Sequence, residues 1–332
     1  MIGVGVIGAG QMGILHGAIS NKIGGSRLVA ICDSDPQLTK IGSKILPRIH
    51  FYEDSIEMLT KESLDAIFVC TPANTHATIV REVVKHSSVR GIFVEKPIAT
   101  SYDEASSMAA ASGKLVTSVG FQKRQAGTFA KAKQLLDEEI FGNLRFFRSH
   151  FYTNEIVQPG SGWKFQKGSG GVLLEFSPHL LDLLIWYFGE PVGHESISKS
   201  LHSVQVQDYV HTMLRYSNGL VGYSDVCWGM RNYSPGELMV EIHGDNGSMM
   251  VNESRLTLYL DKAIGDRHKQ GINSYFAPEL TPPVPFLIGH PENVLLDKSF
   301  IEGTMNGYRV EPSFAAGVAV NKLIDQITAE SQ

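Results

Sequence analysis

Three short stretches of this 332-residue chain put acids, bases and small polar groups at spacings suited to chemistry. In one, Gly168-Ser169-Gly170-Gly171 runs into Val172-Leu173-Leu174-Glu175-Phe176-Ser177-Pro178-His179-Leu180-Leu181-Asp182. With Ser177 as N-cap and Pro178 as the first helical residue, His179 and Asp182 stand three apart on one helix face, with Glu175 on the turn before. A helix that begins earlier puts Glu175 and His179 together at i,i+4 instead. Either register brings a carboxylate to an imidazole, the side chain best poised to take a proton near neutral pH, beside leucines able to exclude water. The competing structural reading is a histidine packed under a core helix. No second histidine lies at ligand spacing, so a metal site is not expected.

The second stretch, Glu95-Lys96-Pro97, sets an acid and a base at the end of an apolar run, ahead of a proline whose preceding bond can be cis. Its bland reading is a solvated surface lysine. In the third, Thr71-Pro72-Ala73-Asn74-Thr75-His76, Pro72 forces an extended turn, and Asn74 or Thr75 is placed to cap the next helix.

These clusters need a scaffold, and periodicity supplies one. Over the first 120 residues, short β-branched runs at Ile2–Ile7, Arg27–Asp33, Ala66–Thr71, Gly91–Glu95 and Leu115–Val119 alternate with helical patterns. The helices are expected at about Gln11–Lys22, Pro36–Ile45, Asn74–Lys85 and Ser101–Ser112, with Asp35 and Ser101 as caps. The result is a doubly wound parallel sheet, whose ligands bind at the carboxyl ends of the strands. Directly after the first strand, Gly8-Ala9-Gly10-Gln11-Met12-Gly13 matches a dinucleotide-binding glycine turn in its strand-to-helix context. Gly8 would allow the tight turn, Gly10 the approach of a pyrophosphate, and Gly13 the close seat of the helix. Asp33 falls at the end of the second strand, where a carboxylate accepts from a ribose 2′-OH and repels a 2′-phosphate, so NAD is favoured over NADP.

Beyond residue 120 the pattern changes. A helix at about Gly127–Glu139 and a long strand Asn143–Tyr152 precede alternating runs at Glu195–Val204, Tyr209–Tyr216, Gly219–Trp228, Leu238–His243, Ser248–Val251 and Arg255–Leu260. Hairpin signals at Ser217-Asn218-Gly219 and Gly244-Asp245-Asn246-Gly247 predict a mainly antiparallel open sheet. Residues 261–307, with Pro278, Pro282, Pro283, Pro285 and Pro291, read as a long excursion over the surface, before a closing helix at about Ser313–Ala329. Two domains are expected, 1–120 for a dinucleotide and 121–332, an α+β domain, for substrate and self-association. The open sheet face points to a homo-dimer or homo-tetramer.

Composition narrows the classes further. With 43% hydrophobic and 19% charged residues the chain is globular, and a formal charge of −5 with no long basic run argues against nucleic acid. No window is apolar for the roughly 18 residues a membrane span needs, so no membrane partner is expected. Cys32, Cys70 and Cys227 have no disulfide or zinc spacing, and the start Met1-Ile2-Gly3-Val4 lacks a basic secretory region, which together predict a cytoplasmic protein.

Taken together, these motifs resemble the glucose-fructose oxidoreductase, inositol dehydrogenase and MocA (Gfo/Idh/MocA) family over nearly the whole chain. The likeness rests on Gly8–Gly13, Thr71-Pro72 with His76, Glu95-Lys96-Pro97, Gly120-Phe121-Gln122-Lys123-Arg124, Trp163, Gly170-Gly171 with His179, and a closing helix like Phe314–Ile327. The resemblance implies a Rossmann domain joined to an α+β domain, and hydride transfer between NAD and a secondary alcohol of a sugar, polyol or nucleotide-linked sugar. It implies Lys96 on nicotinamide ribose and substrate, and His179 as general base. The family's aspartate four residues before that histidine is Glu175 here, and its Trp-Arg pair is Trp163-Lys164. Candidate cofactor residues are thus Gly8, Gly10, Gln11, Met12, Gly13, Asp33, Thr71, Pro72, Asn74, His76, Glu95, Lys96, Gln122 and Trp163. Candidate substrate residues are Lys96, Arg124, Asn154, Glu175, His179 and Asp182, with Lys96, Glu175 and His179 catalytic. Rival readings are a non-catalytic dinucleotide- or sugar-sensing regulator and an NAD-dependent glycosidase of the same fold.

Overall fold

A computed structural model describes residues 1–168 and 170–330, except the side chains of Trp163 and Glu330. The chain divides into two compact units, each described by itself: Met1–Gln122 with Val284–Asn321, and Lys123–Pro283 with the chain from Lys322 on.

The first unit opens with β1 (Ile2–Ile7) and α1 (Gln11–Ser20), then β2 (Ser26–Cys32), α2 (Pro36–Ile45), β3 (His50–Tyr52), α3 (Ser55–Lys61), β4 (Ala66–Val69), α4 (Ala73–Val83), β5 (Gly91–Val94), α5 (Tyr102–Ala111) and β6 (Val116–Val119). The six strands lie in the order β3-β2-β1-β4-β5-β6, with every neighbouring pair parallel. Every residue of β4 and β5 is buried, the mark of strands covered on both faces. Strand order reverses between β1 and β4, so the crevice for a ligand opens where their carboxyl ends part. The caps predicted at Asp35 and Ser101 are in place, accepting from the backbone N–H of Gln37 and of Glu104. Asn74 is not a cap: α4 begins at Ala73 with Pro72 before it, and the Thr75 hydroxyl hydrogen-bonds the Pro72 carbonyl at 2.7 Å.

In the second unit come α6 (Gly127–Asp137), β7 (Leu144–Tyr152), α7 (Val172–Glu175) and α8 (Ser177–Phe188). They precede β8 (Gly193–Lys199), β9 (Tyr209–Arg215), β10 (Val221–Cys227), β11 (Glu237–Gly244), β12 (Gly247–Asn252), β13 (Arg255–Leu260), β14 (Gly271–Phe276) and α9 (Ala277–Leu280). The sheet order is β14-β13-β12-β11-β7-β10-β9-β8. Every neighbouring pair is antiparallel except β7 and β10. Burial alternates along β9 and β11, as a sheet with one packed and one open face requires.

The chain then returns to the first unit with α10 (Pro291–Asn306) and the start of α11 (Phe314–Glu330). The stretch expected to be a plain excursion, residues 261–307, holds a strand and two helices between irregular segments, and residues 284–321 fall in the first compact unit. Pro278 and Pro291 stand at helix starts, where a proline costs nothing, and Phe300 of α10 is fully buried, edge-on to Phe68 of β4 at 5.1 Å. The short β3 and α3 had no counterpart in the sequence reading.

Candidate functional site

The glycine turn is tight at Gly8 and Gly13 and open at Gly10. A Cβ on Gly8, whose φ is 100°, would sit 2.7 Å from the Cys70 carbonyl oxygen, and one on Gly13 only 1.8 Å from the Gly8 oxygen. A Cβ on Gly10 would meet nothing within 4 Å, so the backbone there is open to a ligand. No side chain caps α1, and Gly10 and Gln11 are exposed with Met12 half-buried behind them. A bare helix N-terminus beside an open glycine fits the pyrophosphate of a dinucleotide. Asp33 is half-buried just past β2, its Oδ2 accepting from the Ala9 N–H at 2.6 Å and its Oδ1 from the Asp35 N–H at 2.9 Å. The carboxylate is thereby anchored against the turn itself.

At the ends of β4 and β5, Thr71 is half-buried while Pro72 and Asn74 are exposed. His76 is only 1% exposed. Its Nε2 lies 2.7 Å from the Thr71 carbonyl oxygen, and its Nδ1 lies 3.1 Å from those of Pro97 and Ile98. The ring is therefore a tie between two strand-end loops rather than an open contact surface, and burial lowers its pKa against the pull of those carbonyls. The Lys96–Pro97 bond is cis and Lys96 is half-buried. Gln122 begins a short 3-10 turn, Gln122–Gln125, and is half-buried.

Two residues that the sequence reading missed complete this region. His16 of α1 is 1% exposed; its Nε2 lies 2.8 Å from Glu95 Oε1, and its Nδ1 lies 2.8 Å from the Asp297 carboxylate of α10. Burial would push the imidazole down, but the charges and hydrogen bonds of Asp297 and Glu95 outweigh it and hold its pKa at about 10. Glu95 is lowered in turn by His16, despite burial acting the other way. The available signal was a histidine three residues after Gly13, on the buried side of a helix; nothing local pointed to Asp297.

In the second unit, α7 and α8 form a helix broken only at Phe176, which keeps right-handed helical φ and ψ. Ser177 is inside α8, not its cap, and its hydroxyl bonds the Leu173 carbonyl. The earlier-starting register is thus the one adopted. Glu175 is 9% exposed and His179 8%, the latter with Phe151 edge-on at 6.4 Å, so both are set in a water-poor, partly aromatic environment. Asp182, 1% exposed, is gripped by Arg124 through two hydrogen bonds of 2.8 and 2.6 Å. Asn154 is half-buried just beyond β7. Trp163 starts a 3-10 turn, Trp163–Phe165, and its side chain lies outside the described residues.

Residues 2–121 match the family model described as the oxidoreductase family with NAD-binding Rossmann fold, and residues 129–250 match the Gfo/Idh/MocA C-terminal domain. The chain belongs to the Gfo/Idh/MocA oxidoreductase family. Among relatives of this family member, levoglucosan dehydrogenase of Pseudarthrobacter phenanthrenivorans is 26% identical over 91% of this chain and 86% of its own. Myo-inositol 2-dehydrogenase of Thermotoga maritima is 24% identical over 95% and 90%. A solved levoglucosan dehydrogenase in complex with NADH and levoglucosan superposes with a TM-score of 0.86 at 25% identity, covering 99% of this chain and 97% of that one. This Gfo/Idh/MocA chain is an NAD-binding oxidoreductase, and among the described residues no helix is long and apolar enough to cross a membrane.

Proposed function

We propose that this enzyme interconverts a secondary alcohol and a ketone on a cyclic sugar or polyol. The observation that carries the reading is Glu175 and His179, an acid and an imidazole buried one helical turn apart. The relatives act, by name, on levoglucosan and inositols, ring compounds rich in secondary hydroxyls. Bound NAD would supply the hydride acceptor at C4 of the nicotinamide. His179 takes the hydroxyl proton, Glu175 orients that imidazole or binds a neighbouring hydroxyl, and Lys96 holds the ribose and stabilises negative charge on the reacting oxygen. The turn Gly8–Gly13 seats the pyrophosphate and Asp33 the adenosine ribose. Thr71, Pro72, Asn74, Gln122 and Trp163 line the cofactor, and Asn154 the sugar. Large exposed side chains on the open sheet face, among them Ile197, Tyr223 and Tyr259, support a homo-dimer or homo-tetramer. The three free cysteines support a cytoplasmic location.

The test is fluorescence titration with NADH and NADPH, followed by NADH formation with levoglucosan, myo-inositol and scyllo-inositol. Tighter binding of NADH and turnover of a cyclic polyol are expected, with His179→Ala slower by about 10²–10⁴-fold at unchanged NADH affinity. Full turnover by His179→Ala would remove the base, and sugar release without net NADH would make the protein a glycosidase instead.

A further inference from the structure

We infer that Asp297 and His16 are positioning residues for Lys96, acting through Glu95 as one buried relay. The inference rests on the reading of Lys96 as the group that holds ribose and substrate.

The path is short and continuous. Both Asp297 carboxylate oxygens lie 2.8 Å from His16 Nδ1, His16 Nε2 lies 2.8 Å from Glu95 Oε1, and Glu95 Oε2 accepts the backbone N–H of Lys96 at 3.0 Å. None of the three side chains is exposed to water beyond 10%. The imidazole is flanked by Phe68 and Phe93, with ring centroids at 5.3 and 4.8 Å, which exclude water and hold the ring plane. An imidazole facing a carboxylate on each side donates from both nitrogens only when doubly protonated, and the held-up pKa agrees with that state.

A lone structural bridge would need one carboxylate. Here a cation separates two, so neither acid can be removed or neutralised without altering the other's surroundings. Glu95 has little freedom as a result: one oxygen is fixed by His16 and the other receives the N–H of the residue whose side chain is needed for chemistry. The relay begins on α10, a helix of the returning segment, so that segment sets the geometry of the loop after β5. Such second-layer support is what keeps a reacting group within the tolerance that catalysis demands.

The experiment is a double-mutant cycle of Asp297→Asn and Lys96→Ala, with kcat and KM for the alcohol and the NADH dissociation constant measured for each enzyme. Asp297→Asn alone is expected to lower kcat by roughly 10- to 100-fold, while KM and NADH affinity move less. In the Lys96→Ala background the same substitution is expected to change kcat by less than about twofold, because its route of action is gone. An equal loss in both backgrounds, or no loss in either, overturns the inference while leaving Lys96 in its role. Full turnover by Lys96→Ala overturns the reading of Lys96 and the inference with it. Should Asp297→Asn fail to fold, 15N spectra of the histidine-labelled wild-type protein decide: both His16 nitrogens must carry protons at pH 8, and a neutral tautomer pattern overturns the relay.

Discussion

Arg124 meets Asp182 as a fork meets a fork, Nε to Oδ2 at 2.8 Å and Nη2 to Oδ1 at 2.6 Å, with its guanidinium carbon 5.3 Å from the centre of the Trp186 ring. Planar bidentate pairing combined with stacking is a geometry lysine cannot reproduce. The two side chains are 9% and 1% exposed, and they join the turn after Gln122 to the helix that carries His179. Both were candidates for the substrate, and in the structure they are bonded to one another. Asp182→Asn should therefore lower unfolding stability by about 3–5 kcal/mol, since it takes a paired carboxylate away from a buried guanidinium. Urea denaturation measures it, and wild-type stability with a raised KM would return the pair to the substrate.

Two glycines in one turn should answer alanine in opposite ways. At Gly13 the new methyl collides with the Gly8 carbonyl, so Gly13→Ala should cost stability as well as NADH binding. At Gly10 the methyl meets no protein atom, so Gly10→Ala should melt like wild type and yet bind NADH at least about tenfold more weakly, because the methyl stands where the pyrophosphate approaches. Thermal melts beside fluorescence titrations separate the two. Unchanged NADH affinity in Gly10→Ala would place the phosphates elsewhere.

The proton on His16 gives folding a pH dependence of definite sign. Its pKa is about 10 in the folded chain against an ordinary 6.5, so between those values the folded form keeps a proton that the unfolded chain releases. The stabilisation is complete below pH 6.5 and drains away as pH rises toward 10, by at most about 1.4 kcal/mol per pH unit. Urea midpoints should fall from pH 7 to pH 9.5 in the wild type and stay flatter in His16→Gln. Parallel curves for the two would show that the imidazole carries no such proton.

What could be read in advance follows the range of the forces involved. Strands apolar on both faces, such as Ala66–Val69 and Gly91–Val94, announce themselves within four residues, and so do caps such as Asp35 and Ser101, whose partners lie two and three residues on. The edge strand His50–Tyr52 is too short to show a period. The helix Pro291–Asn306 had its punctuation, a proline at the start and Gly307 in the left-handed region at the end, but neighbouring prolines disguised it as loop. Pairings across the chain are the hardest: Arg124 and Asp182 were both picked out without their bond, and His16 and Asp297, 281 residues apart, were not seen at all.

The return of residues 284–321 also sets a timetable. A ribosome that has delivered Gln122 has released all six strands of the first sheet, but neither Phe300, which closes over Phe68 and Phe93, nor Asp297. Without α10 the sheet would lack the ring that packs on Phe68 and Phe93, and His16 would lack the Asp297 carboxylate. The first unit therefore has its full set of contacts only in a chain that already contains the whole eight-stranded sheet and reaches Asn306.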